Sequence, residues 1–236
     1  MMIAFAGGGS LGPVTPLLAV YDRLRERDPA LQAVWFGTPA GPERALVQAR
    51  GIGFVAVPVA KWPRFFTWQQ LLFPVRYIQA LHLARRVLVQ ERPAVVVSAG
   101  GFTAVPVVRA AARLGIPCIA HQLDWLPGLA NRFLADRCAA VTSSFAYQTS
   151  PFGRRVPVEA IPTPIQFALE GLPARSQALR QLGLSANAPA VLVMGGGTGS
   201  QALNGLVDRS WERWRARGWQ VLHLTGPGKG GEPLAD

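Results

Sequence analysis

Cysteine is almost missing from this chain, with Cys118 and Cys138 the only two in 236 residues. Two thiols in apolar contexts make neither a disulfide framework nor a metal site. They are expected as buried free thiols in a reducing compartment. Lysine is as scarce, with 2 Lys against 22 Arg, and acidic side chains are few, 13 against 24 basic ones. The formal charge of +11 is therefore carried by arginine. Residues 1–165 hold 17 basic and 8 acidic groups, a net +9, and residues 166–236 hold 7 and 5, a net +2. That bias favours anionic partners such as phosphates, acidic lipids or nucleic acid. No apolar run is long enough to span a bilayer. Met1–Gly12 carries no basic n-region, so it is not expected to be a signal peptide. Half the residues are hydrophobic, so a packed core is expected rather than disorder.

Apolar runs alternate with helical patterns along the chain. Met2–Ala6, Ala33–Gly37, Phe54–Val59, Ala94–Ser98, Cys118–His121 and Ala140–Ser143 read as strands. Pro16–Arg27, Glu43–Arg50, Trp68–Gln90, Ala104–Leu114 and Leu129–Ala135 read as helices between them. Strands alternating with helices imply βαβ units and a parallel sheet covered on both faces. The pattern then restarts. Ser176–Leu182 reads as a helix, Ala190–Met194 as a buried strand, Leu203–Arg217 as a helix and Gln220–Leu224 as a strand. A strand–glycine loop–helix unit thus occurs twice, at Gly7 and at Gly195. The repeat predicts two Rossmann-like, doubly wound α/β domains, over 1–164 and 165–236. With about 70 residues the second is short of a whole domain, and is expected to be incomplete at its C-terminus.

Glycine turns mark candidate ligand loops. Gly7-Gly8-Gly9-Ser10-Leu11-Gly12 satisfies G-x-G-x-x-G after a strand and before a helix, where a backbone can approach an anion. A dinucleotide site also needs an acid at the end of the second strand. That position reads Phe36-Gly37-Thr38, which disfavours a nicotinamide oxidoreductase. Gly100-Gly101-Phe102-Thr103 is a further glycine turn between strand and helix. In open α/β sheets ligands bind at this carboxyl edge.

These residues resemble a family. Gly7 through Pro16 is similar to the first loop, GGGTGGHxxP, of the MurG glycosyltransferases. Trp35-Phe36-Gly37-Thr38 with Glu43 and Leu46-Val47 resembles that family's second-strand region, and Val97 to Phe102 its third loop. Leu114-Gly115-Ile116-Pro117 through His121, then Gly128-Leu129-Ala130-Asn131, resembles LGIP…HEQN…GLxN. Thr163-Pro164-Ile165 resembles the NPVR hinge, and Gly195 through Asn204 the second-domain loop GGSxGxxxLN. The resemblance implies a GT-B fold of two Rossmann-like domains. It implies inverting transfer of N-acetylglucosamine from UDP-N-acetylglucosamine to the lipid-linked muramoyl-pentapeptide in peptidoglycan synthesis. The first domain would take the acceptor and the membrane, the second the donor nucleotide. No metal, cofactor or nucleic acid is implied, and the place of work is the cytoplasmic face of the bacterial membrane.

The resemblance carries the binding expectation onto Ser10, Leu11, Gly12, Gly100, Gly101, Asp124, Gln166, Gly197 and Thr198. The departures bear on chemistry. The family's proposed general base, a His in the first loop, falls at Pro13, and proline cannot take a proton. The Arg after the hinge falls at Gln166, which can hydrogen-bond a phosphate but not neutralise it. HEQN becomes His121-Gln122-Leu123-Asp124, and Leu11 replaces a loop glycine. Asp124 is the nearest carboxylate by alignment and hence the candidate base. His121 ends a predicted strand and reads as a structural, hydrogen-bonded imidazole. The alternative reading is an inactive homologue that only binds nucleotide or lipid phosphate.

One segment points to a membrane surface. From Lys61 to Arg76, bulky apolar residues lie between basic ones, with Arg64, Phe65, Phe66, Trp68, Leu72, Phe73 and Arg76 as candidate contacts. Thr67 and Gln70 have the spacing of a capping box. Farther on, Val75, Ile78, Leu81 and Leu88 recur at helical spacing and read as core.

Overall fold

The computed structural model describes residues 1–58, 73–153, 156–167 and 171–230. The chain divides into two compact units, Met1–Gln166 and Phe167–Asp236. Arg64, Phe65, Phe66, Trp68 and Leu72, with the capping-box pair Thr67 and Gln70, lie outside the described residues.

The first unit is a seven-stranded sheet, all of whose pairings are parallel. Its strands are β1 (Met2–Ala6), β2 (Gln32–Gly37), β3 (Gly53–Ala56), β4 (Val95–Ser98), β5 (Cys118–Gln122), β6 (Ala140–Ser143) and β7 (Val158–Ala160). Their order across the sheet is β3-β2-β1-β4-β5-β6-β7. The chain winds outward from β1 in one direction and from β4 in the other, so the switch point falls between these two central strands. The helices are α1 (Thr15–Arg27), α2 (Glu43–Gln48), α3 (Phe73–Glu91), α4 (Ala104–Arg113) and α5 (Leu129–Leu134), with a 3-10 turn at Ala135–Arg137.

Period-two alternation sends neighbouring strand residues into two separate cores. Ala4, Ala6, Val34, Phe36 and Val96 join Ala80, Ala84 and Leu88 of α3 and Val107, Val108 and Ala111 of α4. Ile3, Phe5 and Trp35 join Leu17, Leu18 and Tyr21 of α1 and Val47 of α2. In that second core Phe5 stacks on Trp35 with centroids 5.5 Å apart and meets Tyr21 edge-on at 6.2 Å. The Trp35 indole donates to Gly7 O at 2.8 Å, which ties the first glycine turn to the core beneath it.

The face that α3 buries matches the expected one at Leu88, which is buried, and at Leu81, which packs against the same core, but not at Val75 and Ile78. Ala80, Ala84 and Leu88 turn inward, whereas Val75 and Ile78 are each 53 % exposed. Successive steps of three residues drift by about 60° around an α-helix, so Val75 stands about 120° from Leu81. Alanines at i and i+4 fill the inward face instead and let α3 approach α4 closely.

The second unit holds α6 (Arg175–Gln181), β8 (Ala190–Met194), α7 (Gln201–Arg215) and β9 (Gln220–Leu224), with β8 and β9 paired in parallel. The expectation that Ala190–Met194 is buried is corrected here, since Leu192 and Met194 are 56 % and 58 % exposed. A strand that is apolar on both faces needs cover on both. Among the described residues α7 packs on this pair and buries Val207. The Ser200 hydroxyl caps α7 by accepting from Leu203 N–H at 3.4 Å.

Candidate functional site

Four turns meet at the carboxyl edge of the first unit, beside the switch point. They follow β1, β2, β4 and β5, and with the start of α5 they enclose a cavity of about 450 Å³. Gly8, Gly9, Ser10, Gly12 and Pro13 form one wall and Thr38 adjoins it. Ala99 through Thr103 forms the next wall, and Leu123, Asp124, Gly128, Ala130 and Asn131 close the far side. The turns fit because the backbones touch. Gly100 and Gly101 hold φ of +96° and +89°, where a side chain is strained. A Cβ on Gly101 would also come within 3.2 Å of Gly8 O.

A buried carboxylate sets the shape of the first turn. Glu43 is fully buried, and its Oε1 accepts from Thr38 N–H at 2.6 Å, Thr38 Oγ1 at 2.6 Å and Gly9 N–H at 3.3 Å. The second oxygen, Oε2, has no hydrogen-bond partner among the described residues. The main chains of Gly8 and Gly41 press on this carboxylate, so side chains at either position would collide with it. The sequence showed Glu43 as a motif member at a helix start; its role as anchor of the glycine turn needed the fold.

The far wall is a chain of amides. Gln122 Nε2 donates to the main-chain oxygens of Asp124 (2.6 Å) and Leu126 (3.4 Å). Gln122 Oε1 accepts from Asn131 Nδ2 at 2.6 Å. Tyr147 OH donates to the main-chain oxygens of Asp124 (3.1 Å) and Trp125 (2.8 Å). The main chain at Asp124 is thereby held while its carboxyl is exposed at the cavity. It is the one carboxylate among the described lining residues.

Of the residues expected to bind, Ser10, Gly12, Gly100, Gly101 and Asp124 come together here, with Pro13 among them. Leu11 does not line the cavity. Its main-chain oxygen turns into the start of α1, accepting from Val14 and Thr15 N–H at 3.1 and 3.0 Å. Gln166 is exposed at the last residue of the first unit, away from this lining. Gly197 and Thr198 belong to the second unit and are exposed on the turn after β8. There Asn204 Nδ2 donates to Thr225 O (3.1 Å) and Lys229 O (3.2 Å), which ties two glycine turns of that unit together.

His121 sits at the end of β5 and is buried. Its Nδ1 is 2.8 Å from Thr142 Oγ1 and its Nε2 is 3.2 Å from Ser144 Oγ. Burial lowers its pKa below the usual 6.5. With both ring nitrogens engaged it is a structural imidazole. Cys118 and Cys138 are free thiols, pushed up to about 11 and about 12 by burial, with Cys118 and Asp136 adding to the effect at Cys138. Neither lines the cavity, and a thiol at such a pKa is a poor nucleophile. Among the described residues no cluster of three or more His, Cys, Asp or Glu could hold a metal ion.

A parallel sheet with glycine turns gathered around a cavity at its switch point defines a Rossmann-type unit. The chain belongs to glycosyltransferase family 28: the family described as Glycosyltransferase family 28 N-terminal domain matches residues 3–143. It is 38 % identical over 222 residues to the UDP-N-acetylglucosamine–N-acetylmuramyl-(pentapeptide) pyrophosphoryl-undecaprenol N-acetylglucosamine transferase of Clavibacter michiganensis, covering 94 % of this chain and 60 % of that protein. The transferase of the same name from Frankia casuarinae is also 38 % identical, over 227 residues, covering 95 % and 60 %. The chain thus spans about 60 % of the length of these curated relatives. The solved structure of Acinetobacter baumannii MurG superposes with a TM-score of 0.63 at 24 % identity, covering 97 % of this chain and 61 % of that one, and so shares the fold.

Proposed function

We propose that this chain is a MurG-type glycosyltransferase whose first unit binds the lipid-linked muramoyl-pentapeptide in the glycine-walled cavity, and whose second unit contributes to holding UDP-N-acetylglucosamine. The observation that carries the reading is the 38 % identity, over 94 % of the chain, to a transferase named for that reaction. In this reading, inverting transfer needs a base at the acceptor hydroxyl, and Asp124 is the carboxylate at hand. Ser10, Gly12, Gly100 and Gly101 cradle the acceptor diphosphate through their main chains. Gly197, Thr198 and Gln166 take the donor side.

The cavity has a second feature that suits a lipid-linked acceptor. Phe102 and Ala130 also line an adjoining, mostly apolar groove of about 420 Å³ walled by Phe73, Tyr77, Val105, Leu129 and Phe133, with Arg109 its one charged residue among those described. A ligand with a diphosphate in the one and a hydrocarbon in the other matches a prenyl diphosphate. Exposed Val75, Ile78, Trp125, Leu126 and Leu129 on the same unit, and the basic, aromatic stretch from Lys61 to Arg76, support peripheral attachment to an anionic cytoplasmic leaflet. Among the described residues no helix is long and apolar enough to cross a membrane.

The test is calorimetric titration with a water-soluble, short-prenyl diphospho-muramoyl-pentapeptide, against the free muramoyl-pentapeptide and the prenyl diphosphate alone. Saturable binding of the whole compound, tighter than either part, is expected. Equal affinity for prenyl diphosphate alone would favour the second reading, a lipid-phosphate binder without transfer, to which Pro13 at the cavity lends support. Co-sedimentation with anionic vesicles, weakened by salt and by a Phe66→Ser/Trp68→Ser double variant, tests the membrane surface. Equal sedimentation of both proteins contradicts that anchor.

A further inference from the structure

Asn131 is 7 % exposed and lines the cavity, yet its Oδ1 has no hydrogen-bond partner among the described residues. The orientation of this amide follows from its neighbours. Main-chain carbonyls only accept, so the side-chain nitrogen of Gln122 must face the oxygens of Asp124 and Leu126. Gln122 therefore offers its oxygen to Asn131, which must answer with its nitrogen, 2.6 Å away. That leaves Asn131 Oδ1 as a fixed, buried acceptor. Such an atom is costly unless something donates to it. The position that a donor would take is kept open by Gly100, where a Cβ would lie 2.9 Å from Oδ1.

This constrains the ligand. An ionised diphosphate carries acceptor oxygens only, so it can use main-chain N–H groups of the glycine turns but cannot satisfy Asn131. Thr103 Oγ1, also buried and without a hydrogen-bond partner among the described residues, can donate or accept and so does not discriminate. We propose that Asn131 Oδ1 is a specificity contact that accepts a hydrogen bond from the reacting hydroxyl or the acetamido N–H of the acceptor saccharide, so that the cavity reads the sugar as well as its diphosphate. The proposal rests on the cavity being the acceptor site.

Three probes test it on the 236-residue protein: the short-prenyl diphospho-muramoyl-pentapeptide, its analogue with the reacting hydroxyl replaced by hydrogen, and its analogue with the acetamido N–H replaced by an ester oxygen. The wild type is expected to bind one of the two analogues about tenfold more weakly than the parent compound, the size of one lost hydrogen bond of about 1.4 kcal/mol. In Asn131→Ala the parent should weaken by about the same factor, and the discrimination against that analogue should vanish. Asn131→Ser is measured alongside, so that a folding defect in one variant leaves the comparison standing. Equal binding of all three probes by the wild type overturns the proposal and leaves the acceptor reading intact. Discrimination that survives in both variants, with a uniform loss across the probes, also overturns it, because that is the mark of a merely structural amide. Failure of the wild type to bind any probe overturns both.

Discussion

Replacing Glu43 by Gln changes one atom in a fully buried group and leaves its shape. The three donors on Oε1, from Thr38 N–H, Thr38 Oγ1 and Gly9 N–H, can all be kept by an amide oxygen. What changes is the charge. A hydrogen bond to an ionised group contributes about 1.5–3 kcal/mol and a neutral one about 0.5–1.5, so three bonds lose about 3 kcal/mol together. A neutral amide is cheaper to bury than a carboxylate, which gives back about 1–2 kcal/mol. Against that, an NH₂ takes the place of Oε2 beside Gly41, where no partner stands among the described residues, at a cost of about 1–3 kcal/mol. The net expectation is a loss of about 2–5 kcal/mol, or a fall in Tm of about 4–20 °C for a unit of this size. Thermal unfolding followed by circular dichroism, with hydrogen exchange at the Gly9 and Thr38 amides, measures it. Acceptor binding should weaken with it, since the turn loses its anchor. A Glu43→Gln protein that melts with the wild type and keeps both amides protected would refute the assignment of Glu43 as the anchor.

Two more perturbations address other parts of the site. Burial lowers the pKa of His121 below 6.5, so above pH 6.5 the group is neutral whether folded or unfolded. Below pH 6.5 the unfolded chain takes the proton first, and stability should fall as pH drops from 6.5 toward the lowered native value. His121→Gln should flatten that part of a denaturant-melt pH profile, and an unchanged profile contradicts the burial argument. For the chemistry, Asp124→Asn should lower kcat for sugar transfer by roughly 10²-fold or more if Asp124 is the base. His121→Gln, at a residue whose side chain does not line the cavity, should cost far less, and the opposite ranking rejects Asp124.

The alternation of strand and helix was readable because each central strand is a short run bounded by glycine or proline, and each helix carries its own apolar period. β7 was not, since Val158-Glu159-Ala160 is three residues with one β-branched side chain. The face of α3 was misread at Val75 and Ile78, because larger apolar groups drew attention away from Ala80 and Ala84. The burial of β8 was overstated because Ala190–Met194 carries no mark of which face α7 covers. In the site, the glycine turns announced themselves through their spacing. Glu43, Gln122 and Asn131 act through partners 2 to 34 residues away, and no local pattern records which oxygen of an amide ends up buried and unpaired.

If the glycine-walled cavity is where the acceptor binds, Gly12 offers a direct way to close it. Gly12 lines the cavity, is exposed, has no left-handed φ, and a Cβ there would meet nothing nearer than Ser10 Oγ at 3.8 Å. Tryptophan can therefore be placed at this position without backbone strain, where its ring competes for the cavity. Calorimetric titration of Gly12→Trp with the short-prenyl diphospho-muramoyl-pentapeptide, beside a thermal melt, is the measurement. Binding should be lost while the melting temperature stays at the wild-type value. Wild-type affinity in a folded Gly12→Trp protein would contradict it.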